Sequence, residues 1–133
     1  MVMSDLPKGQ ALAKCFLVDS DNKYTLNQRI CAFSARNDRV DTKFLFYITN
    51  RNKQLLRYDN GADQTNLKRN QILEIKIPIL PYEEQKRIVS ILDRFDALST
   101  DITSGLPAEI AARQKQYEYY RDKLLSFTSG HNS

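Results

Sequence analysis

Residues 74–102 read EIKIPILPYEEQKRIVSILDRFDALSTDI, and the spacing of the apolar side chains changes in the middle of the stretch. Up to Leu80 it alternates: Ile75, Ile77 and Ile79 share one face, with Glu74, Lys76 and Pro78 on the other. That period of two predicts an extended strand, and Pro78 places it at a sheet edge or at its end. From Pro81 onward Ile88, Ile91, Leu92, Phe95, Leu98 and Ile102 fall at helical spacing. A helix over about 82–102 is expected, with Pro81 near its first turn. A small mixed α/β unit followed by a helical region is the expected arrangement, an α+β fold.

Further along, Ser104-Gly105-Leu106-Pro107 interrupts the helix, since Gly105 can take a left-handed stop and Pro107 can open the next helix. That second helix is expected over about 107–127. Ile110, Tyr117 and Leu124 stand seven apart in it, as do Arg113, Tyr120 and Phe127. Seven-residue spacing predicts a narrow seam that pairs with another helix as an antiparallel coiled coil. The competing reading is a helix folded back on the chain's own domain. Tyrosine suits such a seam because its ring is buried while its hydroxyl reaches a polar partner at the edge.

Upstream of residue 74, ALAKCFLV (11–18) and TLNQRICAF (25–33) are rich in β-formers around the turn-like SDN at 20–22, which predicts a hairpin. Asp41 offers an N-cap to TKFLFYITNRNKQLLRY (42–58), whose apolar residues Phe44, Leu45, Ile48, Leu55 and Leu56 predict a helix covering the sheet. DNGADQTN (59–66) has loop composition, and LKRNQIL (67–73) predicts a short helical turn. The division expected is a mixed α/β unit over 1–80 and a helical unit over 81–133, ending in a polar tail.

The chain of 133 residues is 41% hydrophobic and 27% charged, the composition of a globular domain. The first segment, MVMSDLPKGQ, lacks the apolar middle of a signal peptide, and the expected location is the cytoplasm. Charge is unevenly spread: residues 1–80 carry 13 Lys and Arg against 8 Asp and Glu, and residues 81–133 carry 7 against 8. A positive first part joined to a neutral second part suits a phosphate-facing unit attached to an interaction element, although a solvated basic surface would give the same count.

Catalytic chemistry is poorly provided for. His131 is the single histidine and lies in the polar tail; Cys15 and Cys31 sit in no CxxC or Cys/His cluster and read as reduced, partly buried thiols. No glycine-rich phosphate loop occurs. The one enzymatic pattern is Glu74-Ile75-Lys76 with Asp59 and Asp63 upstream, a set a Mg²⁺-dependent nuclease could use. An alternating strand places Glu and Lys together on its wet face anyway. No catalytic residue, metal or cofactor is expected.

The recognition pattern is richer. Lys43, Arg51, Lys53, Arg57, Lys68 and Arg69 are interleaved with Tyr47, Tyr58, Asn60, Gln64, Thr65 and Asn66. Arg and Lys supply phosphate contacts and guanine readout, while Asn and Gln can offer a paired donor and acceptor to adenine. The same groups would also make an ordinary solvated face.

IKIPILPYEEQKRIVSILDRFDAL (75–98), followed by GLPAEIAARQKQYEYYRDKLLSF (105–127), resembles the conserved region of the specificity subunit of type I restriction-modification enzymes. YTLNQRICAF and VDTKFLFYITN resemble, more loosely, the later part of that family's target recognition domain. The resemblance implies a non-catalytic subunit that binds double-stranded DNA, docks methyltransferase subunits and through them motor-nuclease subunits, and uses conserved helices as an antiparallel spacer. A full subunit of the family has two recognition domains and two helical regions, whereas this chain resembles half of one.

From the residues and the resemblance together, Lys43, Arg51, Lys53, Gln64, Thr65, Asn66, Lys68 and Arg69 are the expected DNA-facing set. Ile110, Arg113, Tyr117, Tyr120, Arg121, Leu124 and Phe127 are the expected interface to a second copy or to a methyltransferase subunit. Two copies paired through residues 107–127 would be spaced by about 31 Å of helix, roughly nine base pairs of duplex. The alternative is an interaction protein that pairs with specificity or methyltransferase subunits and reads no DNA sequence.

Overall fold

The computed structural model describes residues 1–20, 23–101 and 107–129, with backbone alone for 99–101 and 126–129. The turn expected at 20–22 falls partly outside these residues, and the Gly105 stop and His131 fall wholly outside them. The architecture is α+β, helix-rich with one small sheet. Strand β1 (Ser4–Asp5) pairs antiparallel with β2 (Thr65–Asn66), and five helices complete the order: α1 (Thr42–Thr49), α2 (Lys53–Leu56), α3 (Arg69–Leu73), α4 (Tyr82–Asp101) and α5 (Pro107–Ser129).

Helix α4 starts where the sequence predicts. The Pro81 carbonyl accepts the amides of Glu84 and Gln85 at 2.9 and 3.1 Å. Glu83 and Glu84 in the first turn face the positive end of the helix dipole. Ile88, Val89 and Leu92 form one buried stripe, which packs against Phe44, Tyr47 and Ile48 of α1. Asp41 caps α1 as expected, its Oδ1 accepting the Phe44 amide at 3.0 Å.

The two helix starts are tied together through Gln85, which is 1% exposed. Its Oε1 accepts the Asp41 amide at 2.8 Å, and its Nε2 donates to the carbonyls of Arg39 and Leu80 at 2.7 and 2.9 Å. Lys86 adds an ion pair to Asp41 at 3.3 Å.

The single helix expected over 42–58 is broken in two. Asn52 is the cause: its Nδ2 donates to the Ile48 carbonyl at 2.7 Å and its Oδ1 accepts the Gln54 amide at 2.8 Å, so it ends one helix and caps the next. Between them Arg51 sits at φ 52°, a left-handed conformation unusual for a residue with a side chain. The Arg51 amide and guanidinium hold it there, donating to the carbonyls of Ala13 and Leu12 at 2.8 and 3.0 Å.

The hairpin expected between 11–18 and 25–33 does not form. Both segments pair instead with the first three residues. Val2 exchanges bonds with Ala13 and Lys14 at 2.9 Å on one side, while Met3 donates to Arg29 at 2.8 Å and Cys31 to Met1 at 3.0 Å on the other. Alternation identifies an extended segment but carries no information on which neighbour satisfies its backbone. Met1, Leu12, Ala13, Leu55 and Leu67 form the second buried cluster beneath this arrangement.

The strand expected at 74–80 is also corrected. Its backbone meets a side chain rather than another strand: Lys76 donates to Gln54 Oε1 at 3.0 Å and accepts from Gln54 Nε2 at 2.9 Å. Ile75 and Ile77 turn inward onto the two clusters, but Ile79 is 73% exposed. Among the described residues no helix is long and apolar enough to cross a membrane.

Candidate nucleic-acid interface

Residues 64–68 alternate cleanly: Thr65 and Leu67 are buried at 7% and 4%, while Gln64, Asn66 and Lys68 are exposed. The strip runs along β2, in register with Ser4 opposite Asn66 and Asp5 opposite Thr65, and Leu67 extends the ladder by donating to Met3 at 2.7 Å. Arg69 follows as the first residue of α3, also exposed. The strip therefore presents two amides and two cations outward on a braced backbone.

The loop leading into it is held by its own side chains. Asp59 Oδ1 accepts the Gly61 amide at 2.8 Å, and Asn60 Oδ1 accepts the amides of Ala62 and Asp63, both at 2.9 Å. Gly61 adopts φ 75°, where a side chain would be strained. Asp59 Oδ2 also accepts the Lys8 amide at 2.9 Å, tying this loop to residues 6–12.

Asp5 organises that neighbouring loop. Its carboxylate accepts the amides of Leu6 and Ala11 at 2.8 Å and of Leu12 at 3.2 Å. Gly9 passes so close that an added Cβ would lie 2.0 Å from Asp5 Oδ2. The amide bonds, from Ala11 first and then Leu6, hold the Asp5 carboxyl below its ordinary value of 3.8. Because the folded value is depressed, the carboxylate contributes stability that is complete above 3.8 and lost as pH falls through the lower folded value. Asp5→Asn is expected to lower stability at neutral pH, with the difference from the parent shrinking below about pH 3.8. Urea unfolding at stepped pH measures this, and a difference independent of pH would refute it.

The structure separates the expected DNA-facing residues into two groups. Gln64, Asn66, Lys68 and Arg69 lie together on the exposed strip. Of the others, Lys43 and Lys53 are exposed and make surface ion pairs with Asp93 and Asp122, both at 3.1 Å, Arg51 donates to the loop carbonyls, and Thr65 is buried. Ser4 and Asp5 support the strip, and local sequence reading offers no sign of either because their partners are distant in the chain.

Helix α5 runs back along α4. Leu124 and Leu125 pack against the α1–α4 cluster, and the Tyr117 hydroxyl donates to Asp96 Oδ1 at 2.6 Å. The Tyr47 hydroxyl lies 2.5 Å from Asp93 Oδ1 and 2.9 Å from Asp96 Oδ2, so three helices meet at two aspartates. Burial first, and then these carboxylates, push both phenols well above the ordinary tyrosine range. They stay protonated donors at any ordinary pH.

Of the expected interface, Leu124 is half-buried against the chain's own core, Tyr117 is half-buried, bonded to Asp96 and lining the groove beside α4, and Arg121 is half-buried over the Tyr117 ring at 6.0 Å. Arg113 and Tyr120 are exposed and Ile110 is half-buried; with Phe95 and Leu98 they line an open groove of about 640 Å³. The Phe127 side chain lies outside the described residues.

Fold and site together define an α+β protein with a braced polar strip on β2 and a long helix, α5, packed along α4. Among the described residues no three His, Cys, Asp or Glu side chains gather as a metal site would require. The family model for the type I restriction modification DNA specificity domain matches residues 15–112. The chain belongs to that family. It is 42% identical over 106 residues to the specificity subunit of the type I restriction enzyme EcoR124I/EcoR124II from Escherichia coli, covering 77% of this chain and 26% of that one. A putative type I restriction enzyme specificity subunit of Haemophilus influenzae, S.HindORF215P, is 35% identical over 117 residues, covering 88% and 30%. The MpnII specificity subunit of Mycoplasma pneumoniae is 30% identical over 107 residues, covering 80% and 32%. The chain spans about a quarter to a third of the length of these relatives. No solved structure matches.

Proposed function

We propose that the chain acts as a non-catalytic specificity subunit of a type I restriction-modification system. It reads double-stranded DNA through the 64–69 strip, docks methyltransferase subunits, and pairs with a second copy through α4 and α5. The observation that carries this reading is the strip itself, in which Gln64, Asn66, Lys68 and Arg69 are exposed on a braced backbone. Lys68 and Arg69 supply the phosphate contacts that position the protein, and the amides face base edges. Pairing uses the α4–α5 groove, where Ile110, Arg113 and Tyr120 remain accessible beside Phe95 and Leu98. A two-fold pair would read inverted half-sites.

Selection from random duplexes, followed by salt titration on the recovered sequence, tests this. An inverted repeat is expected. The double substitution of Lys68 and Arg69 by Ala should reduce the slope of log affinity against log salt by about 1.8, at about 0.9 for each phosphate no longer neutralised, and leave sequence preference intact. An unchanged slope would remove the strip from the interface.

A second reading is favoured by a separate observation. Phe16, Val18, Tyr24, Leu26 and Phe33 are each at least 42% exposed around one apolar depression, as a surface made for protein contact would be. If no duplex is preferred over another, the chain is an interaction protein that reads no DNA sequence.

A further inference from the structure

Gln64 and Asn66 point the same way from the strip, with Thr65 buried between them, and they are linked to each other. Gln64 Nε2 donates one hydrogen to Ser4 Oγ at 2.9 Å and the other to Asn66 Oδ1 at 3.3 Å. An amide nitrogen has two hydrogens, so the donor capacity of Gln64 is used up. Its free group is Oε1, an acceptor. Asn66 accepts at Oδ1 and keeps Nδ2 free, a donor. Gln64 has no free donor left and cannot offer a paired donor and acceptor by itself, and Asn66 Oδ1 already accepts one bond; together the two present a free acceptor beside a free donor.

The result survives the ambiguity of amide orientation. If both amides are turned over, Asn66 Nδ2 donates to Gln64 Oε1, and the free groups become Gln64 Nε2 and Asn66 Oδ1. One donor and one acceptor still face outward side by side. Ser4, opposite Asn66 in the β1–β2 register, holds the linked pair against the sheet.

We infer that Gln64 and Asn66 act as one composite reading head for adenine in the major groove. The inference rests on the proposed DNA-reading function and adds its specificity element. Adenine presents an acceptor at N7 beside a donor at N6, which matches a free donor next to a free acceptor; guanine presents two acceptors there and is rejected. Lys68 and Arg69, immediately after the pair, lie where the flanking phosphates would be held. Ser4 is a positioning residue that touches no base.

The test uses the full chain, the duplex recovered by selection, and the same duplex with 7-deazaadenine, which lacks the N7 acceptor, at each adenine in turn. Gln64→Ala and Asn66→Ala are each expected to lose discrimination at one and the same adenine, by roughly 5- to 150-fold. Affinity for unselected DNA should hold. The 7-deaza substitution at that adenine should cost the parent a similar factor and cost nothing further to the variant that has lost the free donor facing N7. Ser4→Ala should weaken the same position with an unchanged melting temperature.

Discrimination lost at two different positions, or additive losses, would overturn the composite pair while leaving DNA reading intact. A parent protein that prefers no duplex would overturn both. Both residues are exposed, so the variants are expected to fold, and circular dichroism confirms it.

Discussion

Gln85→Ala is expected to destabilise the protein by about 3 kcal/mol or more, although it removes a polar side chain from the start of a helix. The amide is 1% exposed and makes three bonds to main chain, to Asp41, Arg39 and Leu80. Truncation leaves the part-buried Asp41 N–H and the carbonyls of Arg39 and Leu80 without that partner, and each group that water does not reach costs about 1–3 kcal/mol. The substitution also releases the cap of α1 from the first turn of α4, so the two helices lose their fixed relation.

Gln85→Glu separates hydrogen bonding from volume. It preserves size but turns an acceptor toward two carbonyls, and it should be at least as damaging at neutral pH. Urea unfolding gives both values. A loss below about 1 kcal/mol for Gln85→Ala would mean that the three groups find other partners and that the hub is dispensable.

Leu92→Ala is expected to cost about 2–5 kcal/mol, the range for emptying a fully buried leucine site. Leu92 is 0% exposed and lies in the cluster shared by α1 and α4, against which Leu124 and Leu125 of α5 pack. The cavity would open under α5 as well as α1. Amide exchange should therefore rise along α5 before global unfolding, since a helix with charged residues on most of its faces has little but this packing to hold it. Retained protection in α5 would show that its polar ties, Tyr117 to Asp96 and Lys53 to Asp122, hold the helix without this packing. The combination matters for function, because the accessible groove through which we propose pairing exists only while α5 lies along α4.

Much of the helical half was legible in the sequence. Pro81, the acidic first turn and the stripe of Ile88 and Leu92 mark α4, which starts at Tyr82 as expected. The N-cap at Asp41 was equally plain. The break at Asn50–Asn52 was not: Asn52 makes it locally, but the left-handed Arg51 between the two helices is held by carbonyls some forty residues earlier in the chain. The hairpin fails for a related reason: both β-rich segments are extended, and the residues they pair with are Met1, Val2 and Met3. Of the eight DNA-facing residues expected, composition could not separate the four on the open strip from those committed elsewhere, because a free lysine and a paired one look alike in sequence.

The span of α4, the cap of α1 and the buried stripe of Ile88 and Leu92 follow from local dihedral preference and apolar spacing, which act over a few neighbouring residues and are written in order along the chain. Strand partners, the use of Tyr117 and Leu124 within the chain, and the linked amides of the strip were decided only by the tertiary structure. Each depends on groups far apart in sequence, 44 residues for Gln85 and Asp41 and 60 for Gln64 and Ser4, whose meeting is set by how the two buried clusters pack.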